Sequence, residues 1–233
     1  DTSSPSVTIT ASNGISAVTD GATSNDAALT LTFTSSEATS NFAVEDITVS
    51  GGAISNFSAT SSTVYTATFT PSSNGATTID VTANKFTDAV GNNNTAADQF
   101  NWTFDNVAPT ISAIATSAIS WGASLNATED NSDGTVTLTT SGAEDGQTVT
   151  ITINSVTYTA NVSSNSATVK ITAAGLQALT DGNTYSLTAD VSDMVGNAAT
   201  QVISSSFSVD TSLPTISAIA TSAFSWGSSL NAT

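Results

Sequence analysis

The chain repeats itself at a spacing of 105 residues, which confines it to a string of similar domains. Residues 108–128 and 213–233 agree at 18 of 21 positions. The same spacing carries Asp105 onto Asp210, Pro109 onto Pro214, and Asp88-Ala-Val-Gly91-Asn92 onto Asp193-Met-Val-Gly196-Asn197. At a spacing of 104, Asp1-Thr-Ser-Ser-Pro5 falls on Asp105-Asn-Val-Ala-Pro109. These marks set domains at residues 1–104 and 105–209, with a third repeat begun at 210–233 that is too short to bury a core. Starting without Met and without a signal peptide, the sequence is expected to be an interior piece of a longer polypeptide.

Within each repeat the pattern is β. Leu29, Leu31 and Phe33 alternate with threonines, as do Val136 with Leu138 and Val149 with Ile151 and Ile153. Period-two alternation of this kind describes strands with one buried face. Turn pairs such as Asn13-Gly14, Asp20-Gly21, Gly51-Gly52, Asp133-Gly134 and Asp181-Gly182 separate the strands at intervals of about ten residues. The one helical stretch is Ala173 to Leu179. About seven short strands in about 105 residues predict an all-β chain of aligned β-sandwiches. Trp102 is expected in the first core. Trp121 and Trp226, at equivalent positions in a Ser-Trp-Gly turn, are expected to pack near the domain junctions.

The charge pattern excludes whole classes of function. Of 21 charged residues 19 are acidic, there is no His, and the net charge is −17. Such a chain lacks the bases that nucleic-acid phosphates and anionic membrane surfaces require. It has no Cys nucleophile, no His base and no Arg to clamp an anion, so an enzyme is not expected. No apolar run is long enough for a transmembrane helix, so direct membrane insertion is not expected either. The two bases, Lys85 and Lys170, fall in or beside predicted strands, where trypsin should not reach them.

Three stretches together resemble the bacterial Ig-like domains of large, repetitive cell-surface adhesins. They are Leu29-Thr-Leu-Thr-Phe-Thr-Ser-Ser-Glu37, Phe42-Ala-Val-Glu-Asp-Ile-Thr-Val and Asp88-Ala-Val-Gly-Asn92. Gly142-Ala-Glu-Asp-Gly-Gln-Thr-Val-Thr-Ile, with Asp181-Gly182 and Asp193-Met-Val-Gly-Asn197, resembles a second subtype that lacks the Ser-Glu string. The resemblance implies tandem immunoglobulin-like Greek-key β-sandwiches at a cell surface or secreted, acting as rigid, Ca²⁺-bound spacers. The partners it implies are neighbouring Ig-like domains of the same polypeptide.

A Greek key assigns loops to poles, and so assigns the acids. Asp1, Glu37, Asp88 and Asn92 are expected at the N-terminal pole of the first domain, with Asp20 and Asp26 at its C-terminal pole. In the second domain Asp105, Glu144, Asp145, Asp193 and Asn197 go to the N-terminal pole. Glu129, Asp130, Asp133 and Asp181 go to the C-terminal pole, where Asp210 begins the next repeat. Stacked domains would bring carboxylates together at Asp105 and again at Asp210. A hard cation such as Ca²⁺, taking six to eight oxygens from flexible loops, would relieve their repulsion. The same strings have a plainer reading, in which Asp-x-x-Gly-Asn is a hairpin turn and Asp-x-x-x-Pro a linker cap. Two other functions stay open: a module that binds sugar or another surface ligand, and a subunit of a filament in which identical chains pair by strand addition.

Overall fold

The computed structural model describes residues 2–39 and 41–220, together with Ala223, Ser225, Trp226, Ser228 and Leu230. Its chain divides into two compact units, Asp1–Pro109 with Ser192–Ala199, and Thr110–Val191 with Thr200–Thr233.

The first sandwich is built from nine strands: β1 (Val7–Ser12), β2 (Ala17–Val18), β3 (Ala22–Ser24), β4 (Leu29–Ser35), β5 (Thr48–Ser50), β6 (Gly52–Ala59), β7 (Val64–Pro71), β8 (Gly75–Asp80) and β9 (Phe100–Phe104). One sheet runs β2-β1-β4-β7-β6 and the other β3-β9-β8-β5. This is the immunoglobulin arrangement, with the first strand split between the sheets. Its second half, β3, lies parallel to the last strand, β9, pairing Ala22 with Trp102 and Ser24 with Phe104.

Alternation does the sorting. Leu29, Leu31 and Phe33 on β4 and Ala67 and Phe69 on β7 all point inward, and the threonines between them face outward. Aromatic side chains fill the core: Phe42 meets Phe33, Tyr65 and Phe86 with centroids 5.7, 5.0 and 4.9 Å away. The Tyr65 hydroxyl donates to the Thr39 carbonyl at 2.8 Å, so the ring's polar end is satisfied inside.

Register fixes where the chain arrives and leaves. Val7 stands opposite Ser35, while Phe104 stands opposite Gly75, the first residue of β8. The chain therefore comes in at the pole holding the Asp88 loop and goes out at the pole holding Ser12 and Leu29. One expected placement changes. Between β1 and β4 the chain makes the extra excursion β2–β3, which puts Asp20 beside Asn101 on the flank and not at the C-terminal pole.

The second sandwich comprises β10 (Thr110–Ile111), β11 (Ser124–Asn126), β12 (Gly134–Ser141), β13 (Thr148–Ile153), β14 (Val156–Asn161) and β15 (Ser166–Ile171). After the short helix α1 (Ala173–Gln177) follow β16 (Thr184–Tyr185), β17 (Thr188–Asp190), β18 (Val202–Ile203) and β19 (Phe207–Asp210). Here too β11 lies parallel to β19, with Ser124 opposite Ser208. The two sandwiches differ in the strand that follows β5 and β13. β6 pairs with β7, but β14 turns back on β13. Turn chemistry explains it: Asn154 and Ser155 both take positive φ, the two-residue hairpin that returns a strand beside its predecessor. In the first sandwich a single residue, Gly51 at φ 75°, links β5 to β6 and sends the chain across to the other sheet.

Lys170 lies on β15 as the pattern predicts, but Lys85 does not lie on a strand. It occupies an exposed turn beside Asn84, whose φ is 64°. Trp102 is in the first core, and Trp121 packs edge-on against Phe207 in the second at 5.4 Å. No described helix is long and apolar enough to cross a membrane.

Candidate functional site

The acidic loops are the candidate site, and many of their carboxylates are taken up by local donors. In the Asp88 loop, Oδ1 accepts the backbone N–H groups of Val90, Gly91 and Asn92 at 2.9, 2.7 and 2.8 Å. Oδ2 accepts the Asn92 side-chain amide at 2.7 Å. Gly91, at φ 99°, lets the loop turn far enough to aim these donors inward. Asp88 is only 8% exposed. Burial works against its ionisation, but the bonds from Asn92, Val90 and Gly91 outweigh it and hold the carboxyl below its ordinary value. Asp193 is bonded in a similar pattern with one backbone donor fewer: it accepts the N–H groups of Val195 and Asn197 at 3.1 and 2.7 Å, and the Asn197 amide at 2.8 Å.

Several other acids are engaged in similar ways. Asp26 accepts from the Asn13 amide at 3.2 Å and the Ser24 hydroxyl at 2.6 Å. Ser24 in turn receives the Trp102 indole N–H at 3.0 Å, a link that no sequence pattern signals. Asp20 accepts the Asn101 backbone N–H at 2.6 Å, Asp105 that of Val107 at 2.9 Å, and Asp145 that of Ser164 at 2.7 Å. Asp133 forms the one ion pair among the described residues, with Lys170 at 2.8 Å, and also accepts the Ala173 N–H that opens the helix. The Lys170 ammonium, then the Ala173 N–H, holds the Asp133 carboxyl below its ordinary value.

Some acids do approach one another in space. Glu37 and Asp88 border a small hollow of about 210 Å³. Glu129 and Asp210 border an open groove of about 560 Å³, together with Asn126 and Thr128. Asp130 sits on the 3₁₀ turn Glu129–Asn131, and Glu144 lies in the loop before β13. Asp1 lies outside the described residues. Among the described residues no three acidic side chains converge on a point that could hold a metal ion. Among the described residues the acidic side chains alone therefore do not gather the six to eight oxygens that Ca²⁺ takes.

One contributor had no warning in the sequence. Asn94 is buried, and its side-chain oxygen accepts the N–H groups of Lys85 and Phe86 while its amide donates to the Thr82 and Thr95 carbonyls. Its counterpart at the repeat spacing is Ala199, so the repeat gave no pointer to it.

No curated protein matches the sequence. Among solved structures, a Ca²⁺-stabilised adhesin with which an Antarctic bacterium reaches out and binds ice is similar at 19% identity and TM-score 0.46. That similarity covers 91% of this chain and 50% of the adhesin chain. A 1.5-MDa bacterial ice-binding adhesin is similar at 21% identity and TM-score 0.39, over 90% of this chain and 66% of its own. A bacterial immunoglobulin-like domain from the M. primoryensis ice-binding adhesin shares 27% identity over 44% of this chain and 95% of its own, at TM-score 0.31. The chain thus spans half to two thirds of the first two. The family described as bacterial Ig-like domain matches residues 1–104. Over those residues the chain belongs to the bacterial Ig-like domain family.

Proposed function

We propose that the chain is a load-bearing spacer segment of a long extracellular adhesin, exposed at the cell surface, with further Ig-like domains of the same polypeptide as its neighbours. The observation that carries this reading is the path of the chain through each sandwich. It comes in at one pole and leaves at the other, and β3 lies along β9 as β11 lies along β19. Ladder hydrogen bonds run across the strands. Tension applied at the two chain ends therefore loads several of them together, in shear, and does not open them one at a time. An adhesin stalk needs that property.

The composition supports the same reading. Nothing in it suits catalysis, and a charge of −17 keeps a long extended protein soluble. The two sandwiches differ in strand pairing but preserve the through-path, which is the feature a spacer must keep.

The test is display on a cell between a membrane anchor and a binding tip. With one, two or three copies of residues 1–209, the reach at which the tip captures a tethered target should lengthen by a constant step. Capture by the segment with no tip attached would make it a binding module and defeat the spacer reading.

A further inference from the structure

The Asp-x-x-Gly-Asn loops carry a conclusion about metals that runs against the calcium expectation. A calcium ligand needs carboxylate oxygens with lone pairs free to turn toward the ion. In both loops Oδ1 is directed at backbone N–H donors of the loop and Oδ2 at the side-chain amide of its asparagine. Asp88 accepts four such bonds between 2.7 and 2.9 Å, and Asp193 accepts three between 2.7 and 3.1 Å. Asp88 is 8% and Asp193 4% exposed, so a cation would have to displace the donors that already satisfy a buried carboxylate.

The asparagine has a further role. The Asn197 amide donates both to Asp193 Oδ2 at 2.8 Å and to the backbone carbonyl of Asp105 at 3.0 Å, both partners lying in the same compact unit. It thereby fastens the loop to the residue at which the second repeat begins. The repeat pairs these residues in sequence as well, since Asp105 and Asp193 recur together with Asp1 and Asp88.

We propose that the Asp-x-x-Gly-Asn loops are metal-independent latches. The aspartate carboxylate occupies the centre of the loop where a cation would otherwise gather the backbone, and the Asn197 amide ties the second loop to Asp105. Charge-assisted bonds to backbone N–H groups, worth roughly twice neutral ones, supply the cohesion. The proposal stands apart from the spacer reading, because a calcium-filled loop would overturn the latch and leave the spacer untouched.

The experiment is amide hydrogen exchange by NMR on the whole chain, in EDTA and again with Ca²⁺ added. The latch predicts that the N–H groups of Val90, Gly91, Asn92 and Asn197 are protected in EDTA and that Ca²⁺ leaves them unchanged. Asp193→Ala, which removes the acceptor, should lose protection at the Val195 and Asn197 amides while the Asp88 loop amides keep theirs; should it fail to fold, Asn197→Ala, which removes the side-chain donors, should speed exchange at the same two amides. Protection that arises only when Ca²⁺ is added would overturn the proposal. So would a saturable shift of these amides at the roughly 10⁻⁴ M typical of extracellular calcium modules, a site that would move the folding equilibrium about a hundredfold at about 10 mM.

Discussion

Trp121 and Trp226 occupy equivalent positions in nearly identical sequence, yet the first is 4% exposed and the second 56%. The neighbours agree: Ile111, Ile114 and Leu125 are buried, and Ile216, Ile219 and Leu230, their counterparts 105 residues on, are exposed. The difference lies in what surrounds each segment. Trp121 makes an edge-to-face contact with Phe207 and has Gly134 beside its six-membered ring. A string of residues takes its burial from the fold around it, and local sequence alone does not set it.

That contact yields the first prediction. A methyl group built on Gly134 would lie 2.5 Å from Trp121 Cζ3 and 2.7 Å from Cε3. Both atoms belong to a rigid ring with little room to yield. Gly134→Ala should destabilise the second sandwich by about 1–3 kcal/mol, as overpacking does in cores. Urea denaturation should show a lower midpoint for that sandwich, with the first unchanged. An unchanged midpoint for both would mean that Trp121 is free to move aside.

Proteolysis gives the second. Lys85 lies in an exposed turn, and Lys170 on β15 is paired with Asp133. Trypsin should therefore cut the folded chain first after Lys85, and only later after Lys170. Mass spectrometry of the early fragments decides the order. Cleavage that begins at Lys170 would contradict the strand assignment there.

The third concerns acid. Asp181 accepts the Ser212 hydroxyl at 2.6 Å and the Thr211 N–H at 2.7 Å, and these bonds, in that order, hold its carboxyl below the ordinary 3.8. A carboxyl lowered in the folded state contributes stability that is present above its unfolded value and lost as pH falls through the folded one. Exchange protection at the Thr211 amide should thus persist through the ordinary carboxylate range and fail only below it. Asp181→Asn should remove that pH dependence. If the wild-type amide loses protection at the same pH as the chain's exposed carboxylates titrate, the two bonds do not hold in solution.

Much of this architecture is legible in the sequence. Alternation of Leu29, Leu31 and Phe33 with Thr exposes the strand and its inner face, and the helix at Ala173 appears close to where it was expected. The pole at which the Asp88 loop lies is open to strand counting. The placement of Asp20 is not: the turn pairs Asn13-Gly14 and Asp20-Gly21 mark the bends around β2, but not that β3 crosses to pair with β9 and carries Asp20 to the flank. Nor is the chemistry of the carboxylates. Asp-x-x-Gly-Asn is compatible with a metal ligand and with a self-bonded turn, and only the direction of the N–H groups distinguishes them. That direction depends on backbone angles such as φ 99° at Gly91, which residue types permit but do not dictate.

Single-molecule pulling from the two ends of the chain tests the central claim most directly. If the parallel pairs β3–β9 and β11–β19 share the load in shear, extension should show two discrete unfolding events, one per sandwich. Each should release a length on the order of 300 Å, as about 100 residues at 3.3–3.6 Å each imply once the folded length is subtracted. Smooth lengthening at low force, without discrete events, would show that neither sandwich resists tension and would contradict the account of the chain as a load-bearing spacer.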